Sequence, residues 1–170
     1  MIIEYTLKID IDASNLMQQV TNIIELGWRE WVALPNLNLP AVKVKVDTGA
    51  KTSALHSFDI QRYRSNNIDM VKFLVNPVQK NTQLVVECHS PILDQRAVID
   101  SGGHKEVRYV IESLISIGNK SWSIELSLTN RDTMQFRMLL GRRAMEQCAI
   151  VKPGASYLNG KLDHQILYNL

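Results

Sequence analysis

A short stretch around residue 47 constrains the fold of this 170-residue chain more than any other part of the sequence. Residues 44–50 read Val-Lys-Val-Asp-Thr-Gly-Ala, an apolar and basic alternation that stops at an acid, a hydroxyl and a glycine. Alternation with period two predicts a half-buried β-strand, and the glycine allows a sharp turn. Residues 138–142, Met-Leu-Leu-Gly-Arg, form a second apolar run that ends in glycine. We therefore expect Asp47 at the end of a strand, with backbone amides close to its carboxylate.

The remaining pattern indicates an all-β protein. Short apolar runs separated by turn residues continue along the chain, which is typical of a closed or nearly closed β barrel. Strands are predicted over 28–34, 41–46, 52–56, 71–75 and 84–88. Gly102-Gly103 predicts a two-residue hairpin turn and Gly118-Asn119 predicts another. A short helix is predicted over 143–148.

The first 26 residues are predicted to form an extension ahead of a single domain over 27–170. Residues 2–11 alternate as a strand does. Ser14 is placed to cap a helix that runs through about Leu26, with Gly27 just after its end. This extension is expected to cap the core, to form part of a dimer interface, or to be an accessory segment.

Bulk properties exclude several functional classes. A net charge of +2 without a dense basic run gives no indication of nucleic-acid binding. The two cysteines, Cys88 and Cys148, make no disulfide framework. No apolar run reaches the roughly 18 residues of a membrane-spanning helix, and the N-terminus lacks a signal-peptide layout. We expect a cytoplasmic protein without membrane association.

The sequence Asp-Thr-Gly-Ala, followed much later by two large apolar residues and glycine, resembles aspartic proteases of the retroviral type. Their chemistry needs two adjacent carboxylates that share a proton, and this chain has one Asp-Thr-Gly. The resemblance therefore implies a homodimer that brings Asp47 to Asp47, with Thr48 and Gly49 completing the catalytic loop. The alternative is that Asp47 only caps its own loop through the Thr48 and Gly49 amides.

A longer match narrows the family. Residues 27–35, 45–56, 130–132 and 136–142 resemble the retropepsin-like aspartic protease family that is often labelled ATP-dependent zinc protease, the RimB-like family. The likeness covers about 27–158 and implies an acid-protease barrel of retropepsin type. Members of this family are linked with ligases that add glutamates to protein tails, which implies acidic peptide substrates. The first 26 residues have no counterpart.

Residues that would bind such a substrate lie near both motifs. The hairpin over 96–111 occupies the place of a protease flap, a Gly-rich tip that closes over substrate, although an ordinary hairpin would look the same. Arginine forks recognise carboxylates, but each basic residue could instead be solvated or paired with Glu106, Glu112 or Asp132. The predicted substrate-binding residues are Ala50, Lys51, Gly102, Gly103, His104, Arg108, Arg131 and Arg142.

No metal or cofactor is expected. Zinc sites need ligands at converging spacings, whereas Cys88 and His89 are adjacent and the other histidines are scattered. A Gly-rich phosphate loop is also absent from the sequence. The sequence thus predicts a homodimeric aspartic endopeptidase, a hydrolase acting on acidic, glutamate-rich tails. The alternative is an inactive retropepsin-fold binding module, or adaptor, for acidic peptides.

Overall fold

The computed structural model describes residues 23–99, 103, 105–130 and 135–170. The predicted strand over 2–11, and most of the helix predicted to follow it, lie outside these residues. The described part of the chain is mostly β, as the alternation predicted, and its single α-helix spans one turn.

Twelve strands and one short helix make up the described residues. The strands are β1 (Ile24–Gly27), β2 (Arg29–Leu34), β3 (Leu39–Asp47), β4 (Ser53–His56), β5 (Phe58–Ser65), β6 (Ile68–Val75), β7 (Val86–Pro91), β8 (Asp94–Ile99), β9 (Lys105–Ile117), β10 (Lys120–Thr129), β11 (Met138–Gly141) and β12 (Ala149–Lys152); the helix α1 is His164–Leu167. Short 3₁₀ turns cover Pro35–Leu37 and Arg142–Ala144.

Six strands close into a ring. Their order is β10-β4-β11-β3-β2-β9, and β9 pairs again with β10, so that each of the six has two neighbours. Strand β8 adds to β9 outside the ring as the second arm of a long hairpin. Closing the ring removes free edges from these strands, and it fixes the position of the end of β3.

Strand β3 shows why these residues form the ring. Val42, Val44 and Val46 are buried, whereas Lys45 is exposed. A strand places successive side chains on opposite faces, so the valines fill the interior and the lysines face outward. The predicted orientation of this strand is confirmed.

Two smaller sheets complete the described part of the chain. Strands β5, β6 and β7 form an antiparallel sheet in that order, and β1 pairs in parallel with β12. Strand β5 was not predicted, because its sequence Phe-Asp-Ile-Gln-Arg-Tyr-Arg-Ser has little apolar alternation. Backbone pairing with β6 holds it at the edge of the sheet, where polar side chains remain exposed.

Both helix predictions fail where the structure tests them. Residues 24–27 are a strand, because Ile24 and Leu26 are buried while Glu25 points outward to Lys152. The predicted helix over 143–148 is a 3₁₀ turn followed by further turns. There Gln147 has φ of 66°, a left-handed conformation that ends any right-handed helix.

The two hairpin predictions have different outcomes. Lys120 pairs with Ile117 across Gly118-Asn119, which confirms the two-residue turn. Ile99 pairs with Lys105, whereas a two-residue turn at Gly102-Gly103 would place Ile99 opposite Glu106, so the predicted register is wrong by one residue. Residues 100–102 and 104 of the predicted turn lie outside the described residues. Gly103 has φ of 82°, a value that favours glycine.

Candidate functional site

Asp47 lies at the end of β3, next to the end of β11. The two strands are parallel, and their register places Gly141 opposite Asp47. The Oδ1 atom of Asp47 accepts hydrogen bonds from the amides of Gly49 at 3.1 Å and Ala50 at 3.0 Å. Asp47 therefore caps its own loop, as one sequence interpretation proposed, although through Gly49 and Ala50. Its Oδ2 has no hydrogen-bond partner among the described residues.

Residues at the end of β11 hydrogen-bond to this loop and to the segment that follows it. The Arg142 amide donates to the Ala50 carbonyl at 2.9 Å, and the Arg142 guanidinium donates to the Gly49 carbonyl at 3.1 Å. The Gly141 amide donates to Ser53 Oγ at 3.1 Å. A Cβ atom on Gly141 would lie 2.6 Å from the carbonyl carbon of Thr52. Only glycine permits this approach of the two backbones.

A cleft of about 840 Å³ opens beside the Asp47 loop. One wall is the β8–β9 hairpin, in which Arg96 and Arg108 are directly opposite each other and share a face. The lining residues are Asp47, Gly49, Ala50, Lys51, Thr52, Ala54, Arg96, Ala97, Val98, Arg108, Ser127, Leu139 and Arg143.

Arg108 is the most enclosed cation of this wall. Its side chain is 7% exposed, and Nε donates to Glu106 Oε2 at 2.7 Å. Its terminal guanidinium nitrogens make no hydrogen bond to any residue that the structure describes. A guanidinium presents several donors in a fixed fork, so Arg108 can bind Glu106 and a ligand in the cleft at once.

Two other arginines of the cleft share one carboxylate. Arg96 donates to both oxygens of Glu125, at 2.5 and 3.1 Å, and Arg143 donates to Glu125 Oε2 at 3.3 Å. The hydrogen bonds from Arg96 hold the pKa of Glu125 below its usual range. Arg96 also binds Asp94 and lowers its pKa in the same way. Within the described chain, Lys51 has no carboxylate partner.

The structure brings part of the predicted site together. Asp47, Gly49, Ala50, Lys51 and Arg108 all line the cleft. Thr48 is exposed in the loop, Arg142 supports the loop from outside the lining, and Gly103 lies in the connection between β8 and β9. The other three predicted residues, Gly102, His104 and Arg131, lie outside the described residues.

Sequence reasoning missed several lining residues, among them Arg96 and Ser127. Arg96 could have been found from the sequence, since it lies in the same predicted hairpin as Arg108. The face of the hairpin on which its side chain lies depends on the β8–β9 register, however, and the predicted turn gave the wrong register. Ser127 offers no such signal: it is buried because β10 pairs with β4, where its hydroxyl donates to the Ser53 carbonyl at 2.9 Å.

The described residues contain neither a metal-binding cluster nor a membrane-spanning helix. Across 23–99, 103, 105–130 and 135–170, no three His, Cys, Asp or Glu side chains are grouped so as to hold a metal ion. In the same residues, no helix is both long and apolar enough to cross a membrane.

Curated relatives of this chain carry the name of a ligase. A probable alpha-L-glutamate ligase from Parasynechococcus marenigrum is 45% identical over 143 residues, which cover 84% of this chain and 31% of the relative. One of the same name from Shewanella pealeana is 40% identical over 148 residues, or 85% of this chain and 32% of the relative. The chain thus spans about a third of the length of these relatives.

These names correct the sequence-based function. The chain was predicted to be an aspartic-type peptidase, a hydrolase, whereas the curated relatives are named as ligases, which form bonds. The prediction of a homodimeric aspartic endopeptidase is overturned on this ground. The alternative, an inactive binding module, is no better supported by the same names.

Two further comparisons concern fold and family. A crystal structure of a Legionella pneumophila protein of unknown function superposes with a TM-score of 0.68 at 25% identity, covering 79% of this chain and 97% of that protein. Residues 25–162 match the family described as "RimB-like: Retropepsin-like aspartic endopeptidase RimB". The family description and the relatives' names point to opposite reactions, but the match itself covers most of the chain. The chain therefore belongs to the RimB-like family, as its motifs predicted.

Proposed function

We propose that this chain takes part in α-L-glutamate ligation, as the portion that binds the glutamate-bearing peptide. The names of the curated relatives and the cleft beside Asp47 both favour this function. Because the chain spans only about a third of those relatives, bond formation itself is assigned to the part of such ligases that this chain does not match.

The observation that carries the proposal is Arg108 in the cleft wall, which is 7% exposed and which, among the described residues, hydrogen-bonds only through Nε, to Glu106. Charge-assisted bonds from a guanidinium to a carboxylate are among the stronger hydrogen bonds in proteins. Lys51, on the loop side of the same cleft, adds a cation without a carboxylate partner in the described chain.

Asp47 has a complementary role in this proposal. Its Oδ1 is held by two loop amides, so the carboxylate is fixed in orientation at the cleft. A glutamyl peptide offers N–H groups as well as carboxylates. We assign Oδ2 of Asp47 to an amide or terminal ammonium of the peptide, and the basic residues to its side-chain carboxylates.

Calorimetric titration of the purified chain tests this assignment. An α-linked glutamate dipeptide is expected to bind, and the isosteric glutamine dipeptide is not. Arg108→Gln should weaken binding by about 10- to 100-fold, since a hydrogen bond to a charged group contributes about 1.5–3 kcal/mol. Arg62→Gln is the matched control, because Arg62 pairs with Asp69 on the β5–β6 sheet, outside the cleft. Equal binding of the two dipeptides would refute the proposal.

A kinetic experiment tests the connection with ligation. Adding the chain to an α-L-glutamate ligase should change the length distribution of the glutamate products, as read by mass spectrometry. The Arg108→Gln chain should not produce this change. An unchanged distribution with the wild-type chain, under conditions in which the dipeptide binds, would remove the link with ligation and leave only peptide binding.

The closed ring of six strands is proposed to be a barrel of the retropepsin type. Support comes from the parallel β3–β11 pair, which sets Asp47 opposite Gly141, and from the family description. An experimental structure tests this by superposition on a retropepsin, in which the two loops should coincide.

Self-association is a separate part of the proposal. Thr48 and Gly49 are exposed in the loop, so a second copy could contact them. Sedimentation equilibrium of wild type should show a dimer that Thr48→Val weakens; a monomer at high concentration would exclude it.

A further inference from the structure

A second cavity, of about 380 Å³, lies on the outer face of β2 and β3. We propose that it binds the carboxylates of an acidic polypeptide at a place separate from the Asp47 cleft. We call it the lysine groove and define it by Trp31, Lys43, Tyr157, Lys161, Asp163 and His164. None of these residues lines the cleft.

Aromatic rings position the two lysines. The Lys43 ammonium lies 5.0 Å from the centre of the Trp31 ring, and these residues are opposite each other in the β2–β3 ladder. The Lys161 ammonium lies 5.5 Å from the centre of the Tyr157 ring. Ammonium groups are attracted to aromatic faces at such distances. The rings therefore restrict where the two charges can go.

The Trp31 ring is itself fixed. It is 8% exposed, and it stacks on the His164 ring at 5.5 Å with 17° between the planes. Because Lys43 and His164 contact this indole, little of it remains for stacking a ligand. The groove thus offers charge on a rigid floor, and the ligand it suits is an anion.

The positive charge of the lysine groove is only partly balanced. Neither Lys43 nor Lys161 forms an ion pair with a carboxylate of the described chain, whereas Arg62, Lys72 and Lys152 elsewhere on the surface do. The carboxylate of the groove, Asp163, is engaged as the cap of α1, where Oδ1 accepts from the Gln165 and Ile166 amides at 3.0 and 3.3 Å. Two ammonium groups therefore face one committed carboxylate.

Position on β3 favours a polypeptide as the occupant. Lys43 and Asp47 belong to the same strand, and a strand rises about 3.3 Å per residue. About 13 Å therefore separates the lysine groove from the end of β3, a distance that four extended residues cover. Lys45, exposed on the same face between them, continues the positive surface. An acidic peptide long enough could reach both places, a step that rests on the proposed function.

Titrations with hexaglutamate and with a glutamate dipeptide, followed by tryptophan fluorescence and calorimetry, test the inference. Hexaglutamate should bind the wild-type chain more tightly than a glutamate dipeptide. The double variant K43Q/K161Q should lose about three- to tenfold in hexaglutamate affinity, as expected for two exposed ion pairs. Its dipeptide affinity should be unchanged. The matched control R62Q/K72Q, with the same change in charge, should bind hexaglutamate as wild type does.

The outcomes separate this inference from the proposed function. If Arg108→Gln has no effect while K43Q/K161Q weakens hexaglutamate binding, the cleft assignment fails and the lysine groove stands. If K43Q/K161Q binds hexaglutamate like wild type, the lysine groove fails. Binding of inorganic phosphate or oligothymidylate at this groove in preference to hexaglutamate would also overturn the proposal.

Discussion

Gly141 gives the sharpest prediction, because its contacts are all with backbone atoms. In Gly141→Ala, the new Cβ would lie 2.6 Å from the Thr52 carbonyl carbon, 2.8 Å from its oxygen and 2.9 Å from the Ser53 nitrogen. No rotamer change can relieve these contacts, so β11 and the segment after the Asp47 loop must separate. We expect this separation to break the bond from the Gly141 amide to Ser53 Oγ.

The expected cost follows from two terms. Overpacking a well-packed interior costs about 1–3 kcal/mol, and the lost buried hydrogen bond adds about 1 kcal/mol. A free energy of unfolding lower by about 2–4 kcal/mol corresponds to a melting temperature lower by roughly 4–16 °C for a chain of this size. Urea denaturation followed by tryptophan fluorescence measures the free energy, and calorimetry measures the melting temperature.

A matched glycine provides the control. A Cβ atom added to Gly154 would have no other atom within 4 Å. The free energy of unfolding of Gly154→Ala should therefore stay within about 0.5 kcal/mol of the wild-type value. If Gly141→Ala were as stable as Gly154→Ala, the close approach of β11 to the Asp47 loop, and the account of the site built on it, would be refuted.

Three other predictions concern titratable and buried groups. Glu30→Gln should lower the free energy of unfolding, measured by urea denaturation, by about 1–3 kcal/mol. The buried carboxylate of Glu30 accepts hydrogen bonds from three backbone amides, and the NH₂ group of glutamine cannot accept the bond from one of these donors. The hydrogen bonds from Arg96 lower the pKa of Glu125. The stability that this pair gives to the folded chain should be complete above about pH 4.3, the pKa of an unfolded glutamate, and should decline as the pH falls through the lower pKa of the folded state. Glu125→Gln should remove this part of the pH dependence when the free energy of unfolding is measured by urea denaturation at a series of pH values. Burial raises the pKa of Cys88 to about 12, so mass spectrometry should find iodoacetamide on Cys148 first; equal labelling would contradict the buried position.

The sequence predicted the parts of the fold that depend on local alternation. The valines of β3 face inward because an alternating strand beside a core has one stable orientation. The 24–27 segment was misassigned because Ile24 and Leu26 fit a helical stripe as well as a strand, and only pairing with β12, more than a hundred residues later, decides between them. Local pattern carries no information about that partner.

In the candidate site, too, the residues of a continuous motif were predicted and those placed by long-range pairing were not. Asp47 and its loop were identified because the motif is continuous, whereas the cleft wall depends on long-range register. Arg96 faces Arg108 only because Ile99 pairs with Lys105. The ion pairs illustrate a further limit: Glu106 was among the partners considered for the basic residues, but Glu125 was not, since β10 meets Arg96 only in the folded chain.

The hold of β11 on the Asp47 loop has a consequence for how the protein folds during synthesis. The bond from Arg142 to the Gly49 carbonyl joins residues 93 positions apart. Contacts of such separation form late, because a long loop must close before they contribute any stability. The ribosome synthesises the Asp47 loop early, but the Arg142 side chain that hydrogen-bonds to it is added only 93 residues later. A nascent chain that ends before residue 138 should therefore expose this loop to proteases, whereas the released chain should protect it.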